Sequence, residues 1–110
     1  MLNLENVKSI YFVGIGGVGM SAAAGIAAQL GFEVRGSDSK AIYDPAKSVL
    51  DSNGIEYTVG YATENVQESS ADLYIASSGE GLNNPEVVYL TEQELPLHSL
   101  SELLGALAAD

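Results

Sequence analysis

The run Gly14-Ile15-Gly16-Gly17-Val18-Gly19 constrains this 110-residue chain more than any other segment. Four glycines in six positions carry an entropic cost that an ordinary connection avoids. What flanks them gives the run its meaning. Ser9–Val13 (SIYFV) is β-branched and aromatic and stops at glycine, which predicts a buried strand. The alanine-rich stretch Gly19–Leu30 predicts a helix, with Val18, Ala22, Ile26 and Leu30 recurring on one amphipathic face. Gly31 stands where a left-handed cap would end it. Phe32–Arg35 reads as a second strand, left by Gly36-Ser37-Asp38. Between a strand and a helix, G-x-G-x-x-G is a phosphate cradle. The first glycine permits the tight turn, the second lets backbone N–H groups approach an anion, and the third brings helix and strand together. The helix N-terminus adds donors and a partial positive charge, so no lysine is needed, and the loop contains none.

The alternation continues. Asp44-Pro45 starts a helix to about Ser52, with aspartate as N-cap and proline at the first helical position. Asn53-Gly54 ends it, Ile55–Val59 is a third strand and Ala71–Ala76 a fourth. Asn84-Pro85 opens a helix to about Glu92; Leu95–His98 is a short fifth strand, and Ser99–Ala109 a last helix capped by Ser99 or Ser101. Alternating β and α elements imply an α/β fold: a Rossmann-like open parallel sheet of about five strands with helices on both faces, in a single domain spanning 1–110.

Composition removes other chemistries. There is no cysteine, so disulfides and thiol catalysis are excluded, and the single histidine, His98, cannot build a metal cage. The net charge of −11 argues against nucleic acid. All four basic residues (Lys8, Arg35, Lys40, Lys47) precede position 48, and residues 48–110 carry eleven acids, which form a solvated acidic surface. The apolar stretch Ile10–Leu30 has a glycine cluster in its middle, which rules out a membrane span, and no basic segment with a cleavage site precedes it. A cytoplasmic protein without membrane or nucleic-acid partners is expected.

Asp38 lies 19 residues after Gly19, at the end of the second strand. An acid at that spacing accepts hydrogen bonds from ribose hydroxyls in dinucleotide enzymes, could equally accept from a base N–H, and could instead make a plain Asx turn in Ser37-Asp38-Ser39. These residues leave NAD-type and UDP-type ligands both open. His98 reads as a surface or hydrogen-bonded residue rather than a general base. Glu92, Glu94 and Glu102 read as solvated charge, and Ser77-Ser78 lacks the flanking glycines of a nucleophile elbow. No residue is assigned a catalytic or metal-binding role.

Tyr11–Ser21 (YFVGIGGVGMS), followed by Gly36-Ser37-Asp38, Ala76-Ser77-Ser78-Gly79, Asn83-Asn84-Pro85-Glu86 and, weakly, Pro96–Leu104, resembles the amino-terminal domain of the Mur ligases of bacterial peptidoglycan synthesis. The resemblance covers nearly the whole chain. It implies a domain that binds the UDP part of UDP-N-acetylmuramic acid. The backbone at Gly14 and Gly16–Gly19, with Val18 and Met20, would face the phosphates; Ser37 and Asp38 would face uracil and ribose; Ser77-Ser78-Gly79 would close over the nucleotide from the opposite side. The full ligase would use ATP and Mg to form an acyl phosphate that the amine of L-alanine attacks; a sister ligase taking a muramoyl peptide is the near alternative, and an NAD-binding oxidoreductase domain the distant one. Two places depart from the family pattern: Glu80, where an apolar residue is usual, and His98-Ser99-Leu100, where arginine is common. No G-x-x-G-K-[ST] occurs in the chain. The expectation is an excised first domain that joins nothing by itself and works with the remaining domains of its parent.

Overall fold

The computed structural model describes residues 2–77 and 83–109. Its elements alternate: β1 (Ser9–Val13), α1 (Val18–Gln29), β2 (Glu33–Asp38), α2 (Ala46–Ser52), β3 (Glu56–Val59), α3 (Thr63–Ser69), β4 (Leu73–Ala76), α4 (Pro85–Glu92), β5 (Leu97–Ser99) and α5 (Leu100–Ala108). The strands form one parallel sheet in the order β3-β2-β1-β4-β5. This is the expected α/β arrangement, with helices on both faces.

Strand alternation divides the core in two. Ile10 and Phe12 of β1 point to one face, where α1, α2 and α5 supply Met20, Ala23, Ala24, Ala27, Leu50 and Leu103. Tyr11 and Val13 point to the other, where Val66 of α3 and Leu90 of α4 meet Tyr74 of β4. Because β1 is central and covered on both faces, four of its five residues are buried, so it reads as a continuous apolar run.

Three expectations are corrected. The buried face of α1 is Met20, Ser21, Ala23, Ala24, Gly25 and Ala27, whereas Val18, Ile26 and Leu30 are exposed. The helix has no charged residue to mark its wet side, so side-chain size decides. Alanines let it approach the sheet closely, and a Cβ on Gly25 would lie 2.9 Å from Val49 Cγ1 of α2. The second strand does not end at Arg35 but continues through Gly36, Ser37 and Asp38. Gly36 marks close approach, not a break, since a Cβ there would lie 2.6 Å from the Phe12 carbonyl oxygen. Finally, Pro45 is the N-cap of α2 rather than its first residue, although Asp44 still caps, accepting the Ser48 N–H at 2.9 Å.

Helix α3 was not foreseen. Its sequence, TENVQES, buries only Val66, too little for any period to show, and it ends at Ser70 with φ of 47° rather than at a glycine. At the other ends the local chemistry is as expected. Gly31 takes φ of 101° after α1, Asn84 Oδ1 accepts the Glu86 and Val87 N–H groups, and Ser99 forms a capping box with Glu102.

Candidate functional site

The order of strand addition reverses between β1 and β4, with all strands parallel: β2 and β3 lie to one side of β1, β4 and β5 to the other. In an open parallel sheet the crevice at the carboxyl ends of such neighbours is where ligands sit. The glycine loop leaves β1 at this point, Asp38 ends β2 beside it, and Ser77 follows β4. Ser78 and Gly79, assigned to the same site from sequence, lie outside the described residues, as does Glu80.

The loop is clamped to the end of β2. Gly14 turns the chain with φ of 83°, a conformation costly for any residue with a Cβ. The Gly14 and Ile15 N–H groups both donate to the Ser37 carbonyl at 2.9 Å, and the Gly17 N–H donates to the Gly14 carbonyl at 3.3 Å. The Gly16 N–H donates to Asp38 Oδ2 at 2.7 Å, and a Cβ on Gly16 would occupy that same carboxylate position, 2.7 Å from Oδ2 and 2.9 Å from Ile42 Cγ1. Gly16 is therefore required by the carboxylate packed on it.

This geometry redistributes the donors expected from sequence. Amides 14 to 17 are engaged within the protein. Those of Val18, Gly19 and Met20 head α1, where no carbonyl of the helix can reach them; the first helical bond runs from the Ser21 N–H to the Gly17 carbonyl at 2.8 Å. Gly17 is the N-cap and has no side chain to satisfy them. The three amides thus stand at the positive end of the helix dipole without a side-chain cap, beside the Asp38 carboxylate that holds Gly16.

Asp38 makes the local turn weighed for it and a second contact that the sequence did not suggest. Oδ2 holds the loop, while Oδ1 accepts the Ser39 N–H at 2.8 Å in a local turn. Ser37 differs from expectation. It is fully buried, and its hydroxyl points to the α3 and α4 face, donating to Glu86 Oε1 at 2.6 Å. Successive strand residues face opposite sides, so Ser37 and Asp38 cannot both present side chains to one ligand.

From sequence, Glu86 is the acid of an Asn-Pro-Glu helix start and one of the eleven acids expected on a solvated surface; that expectation is corrected here. In the fold it is fully buried and is the hub of the second face. Its carboxylate accepts from Tyr11 Oη at 3.1 Å, Ser37 Oγ at 2.6 Å, the Ala62 N–H at 3.1 Å and Asn65 Nδ2 at 2.8 Å. Burial pushes the Tyr11 phenol well above its ordinary pKa; Ser37 opposes this, and the Glu86 charge adds to it. His98 Nδ1 lies 3.0 Å from Glu102 Oε2 at the start of α5, the surface role expected of it.

A separate cleft of about 510 Å³ runs along β2 and β3 on the α3 side. Tyr11, Arg35, Glu56, Thr58, Asn65 and Glu68 line it. It carries two carboxylates, Glu56 and Glu68, against the one guanidinium of Arg35.

A glycine loop at the switch point of an open parallel sheet is the arrangement of Rossmann-like domains. Residues 9–110 match the protein family described as "Mur ligase family, catalytic domain". The chain belongs to the Mur ligase family. It is 39% identical over 103 residues to the UDP-N-acetylmuramate–L-alanine ligase of Dechloromonas aromatica, which covers 94% of this chain but only 21% of that protein. Among solved structures, the UDP-N-acetylmuramate:L-alanyl-γ-D-glutamyl-meso-diaminopimelate ligase of Neisseria meningitidis superposes with a TM-score of 0.77 at 32% identity, covering 86% of this chain and 29% of that one. The UDP-N-acetylmuramate-alanine ligase of Thermotoga maritima gives 0.75 at 30%, covering 87% and 21%. The chain thus spans under a third of the length of these relatives. Among the described residues, no helix is long and apolar enough to cross a membrane, and no cluster of side chains suits a metal ion.

Proposed function

We propose that this chain is the nucleotide-sugar-binding part of a ligase that joins L-alanine to UDP-N-acetylmuramic acid. The observation that carries the proposal is the uncapped start of α1, with the Val18, Gly19 and Met20 amides at the switch point of a Mur ligase fold. In this reading those amides hold the pyrophosphate and the glycine loop sets their position. Asp38 stands at the ribose or uracil side, and the segment after Ser77 covers the nucleotide. These 110 residues contain no Walker-type loop. ATP and Mg therefore bind elsewhere in the parent, which works in the cytoplasm, and the chain by itself forms no peptide bond.

The family match favours a UDP-sugar over NAD, which the glycine pattern alone would also admit. A sister ligase that adds a peptide in place of alanine has structural support, because the Neisseria relative carries that name. Both ligases would share the nucleotide-sugar half and differ in a pocket outside these residues; the 39% identity favours alanine. Calorimetric titration of the chain with UDP-N-acetylmuramic acid and with NAD tests the ligand. Saturable heat with the UDP-sugar and none with NAD is expected. Saturation by NAD alone would sink the proposal.

A further inference from the structure

Glu86 lies on the sheet face opposite α1, yet its bonds lead to the glycine loop. Its carboxylate holds the Ser37 hydroxyl at 2.6 Å, and the carbonyl of that same residue accepts both the Gly14 and Ile15 amides. A second route runs through Asn65. Its Nδ2 donates to Glu86 Oε2 and to the Gly60 carbonyl at 3.0 Å, while the Gly60 N–H donates to the Asp38 carbonyl at 2.7 Å. Both residues that clamp the loop, Ser37 and Asp38, are therefore held from behind by one fully buried carboxylate. The four donors to its carboxylate among the described residues are neutral groups, on β1, β2, the β3–α3 connection and α3. Glu86 occupies the first turn of α4, where the helix dipole favours its charge. A fully satisfied buried network of this kind fixes geometry, because removing any member leaves an unpaired group at low dielectric.

We infer that Glu86 is a positioning residue for the anion site: acting through Ser37 and Asn65, it sets the end of β2 against which the glycine loop is clamped. Part of this inference rests on the proposed nucleotide binding, since the consequence of the positioning is affinity for the nucleotide phosphates. The positioning itself is read without a ligand.

Amide hydrogen exchange, followed by NMR alongside UDP titration of the same samples, tests it. Ser37→Ala and Glu86→Gln should speed exchange at Gly14 and Ile15 by about tenfold relative to the other β1 and α1 amides, the effect of one hydrogen bond's worth of local stability. Both should weaken UDP by a similar factor. Leu50→Ala, a cavity in fully buried α2 packing, controls for loss of stability and should raise exchange across the domain without singling out the loop. Uniform exchange changes in Ser37→Ala would overturn the inference, as would loop protection equal to wild type. Should Glu86→Gln fail to fold, Ser37→Ala still decides. Absence of UDP binding in the wild-type chain would remove the nucleotide reading and leave the exchange result standing or falling alone.

Discussion

The two faces of the sheet treat polar groups in opposite ways. On the α1 face, three backbone donors are left at a helix start without side-chain caps. On the α3 and α4 face, a buried carboxylate is saturated by four donors, and no buried side-chain polar atom among the described residues lacks a partner. The first arrangement leaves hydrogen-bonding capacity for a ligand; the second uses it up to fix the shape of the first. They meet at Ser37 and Asp38, whose consecutive side chains face opposite layers.

Breaking the open side should have the largest effect. Gly16→Val places methyl groups where Asp38 Oδ2 and Ile42 now pack, so UDP binding should fall below detection by calorimetry while circular dichroism stays close to wild type. Retained binding would remove the loop from the site. Breaking the saturated side should cost stability: Glu86→Ala leaves four donors facing a cavity, a loss of about 3 kcal/mol in urea unfolding. A loss under about 1 kcal/mol would mean that water or rearranged side chains replace the carboxylate.

Smaller changes sharpen the contrast. Asp38→Ala should weaken UDP more than pyrophosphate if, as proposed, the carboxylate meets the nucleoside; equal losses would confine Asp38 to holding Gly16. Tyr11 gives a test in pH. Its phenol is raised above the ordinary 10.0, so the folded state keeps its proton longer than the unfolded chain. The linked stability is complete below that value and is lost as pH rises past it. Tyr11→Phe should therefore flatten the alkaline decline in melting temperature. Glu102 sets the opposite limb and the smallest effect. The Ser99 N–H, then His98, hold its carboxyl down to about 2 from an ordinary 4.5. Its contribution is present above 4.5 and disappears as pH falls toward 2, a slope that Glu102→Gln should reduce in acid melts.

The open side was legible in sequence because its chemistry is local. A glycine run, a strand before it and alanines after it specify a strand–loop–helix unit without knowledge of any distant residue. Asp38 could be placed from its spacing for the same reason, and Asn84 and Ser99 declared their helices through capping chemistry. What sequence missed depends on contacts across the chain. Glu86 and Tyr11 are 75 positions apart, and no period or motif says that they touch. The orientation of Ser37 required knowing that β2 runs through Gly36, where glycine marks contact with the Phe12 carbonyl rather than a turn. The buried side of α1 was misread because its apolar residues lie all around the helix, and only packing distance separates Ala23 from Ile26. The polar helix α3 was missed because its structure depends on bridging β3 and β4 over the sheet, not on its own pattern.

The central claim is that anions bind at the start of α1 and not in the cleft along β2 and β3 on the other face. Amide NMR shifts on adding UDP test this most directly. The account predicts the largest, saturable shifts at Val18, Gly19 and Met20, with Arg35, Glu56 and Asn65 nearly still. Saturable shifts centred on Arg35, Glu56 and Asn65, with the α1 amides unmoved, would contradict it.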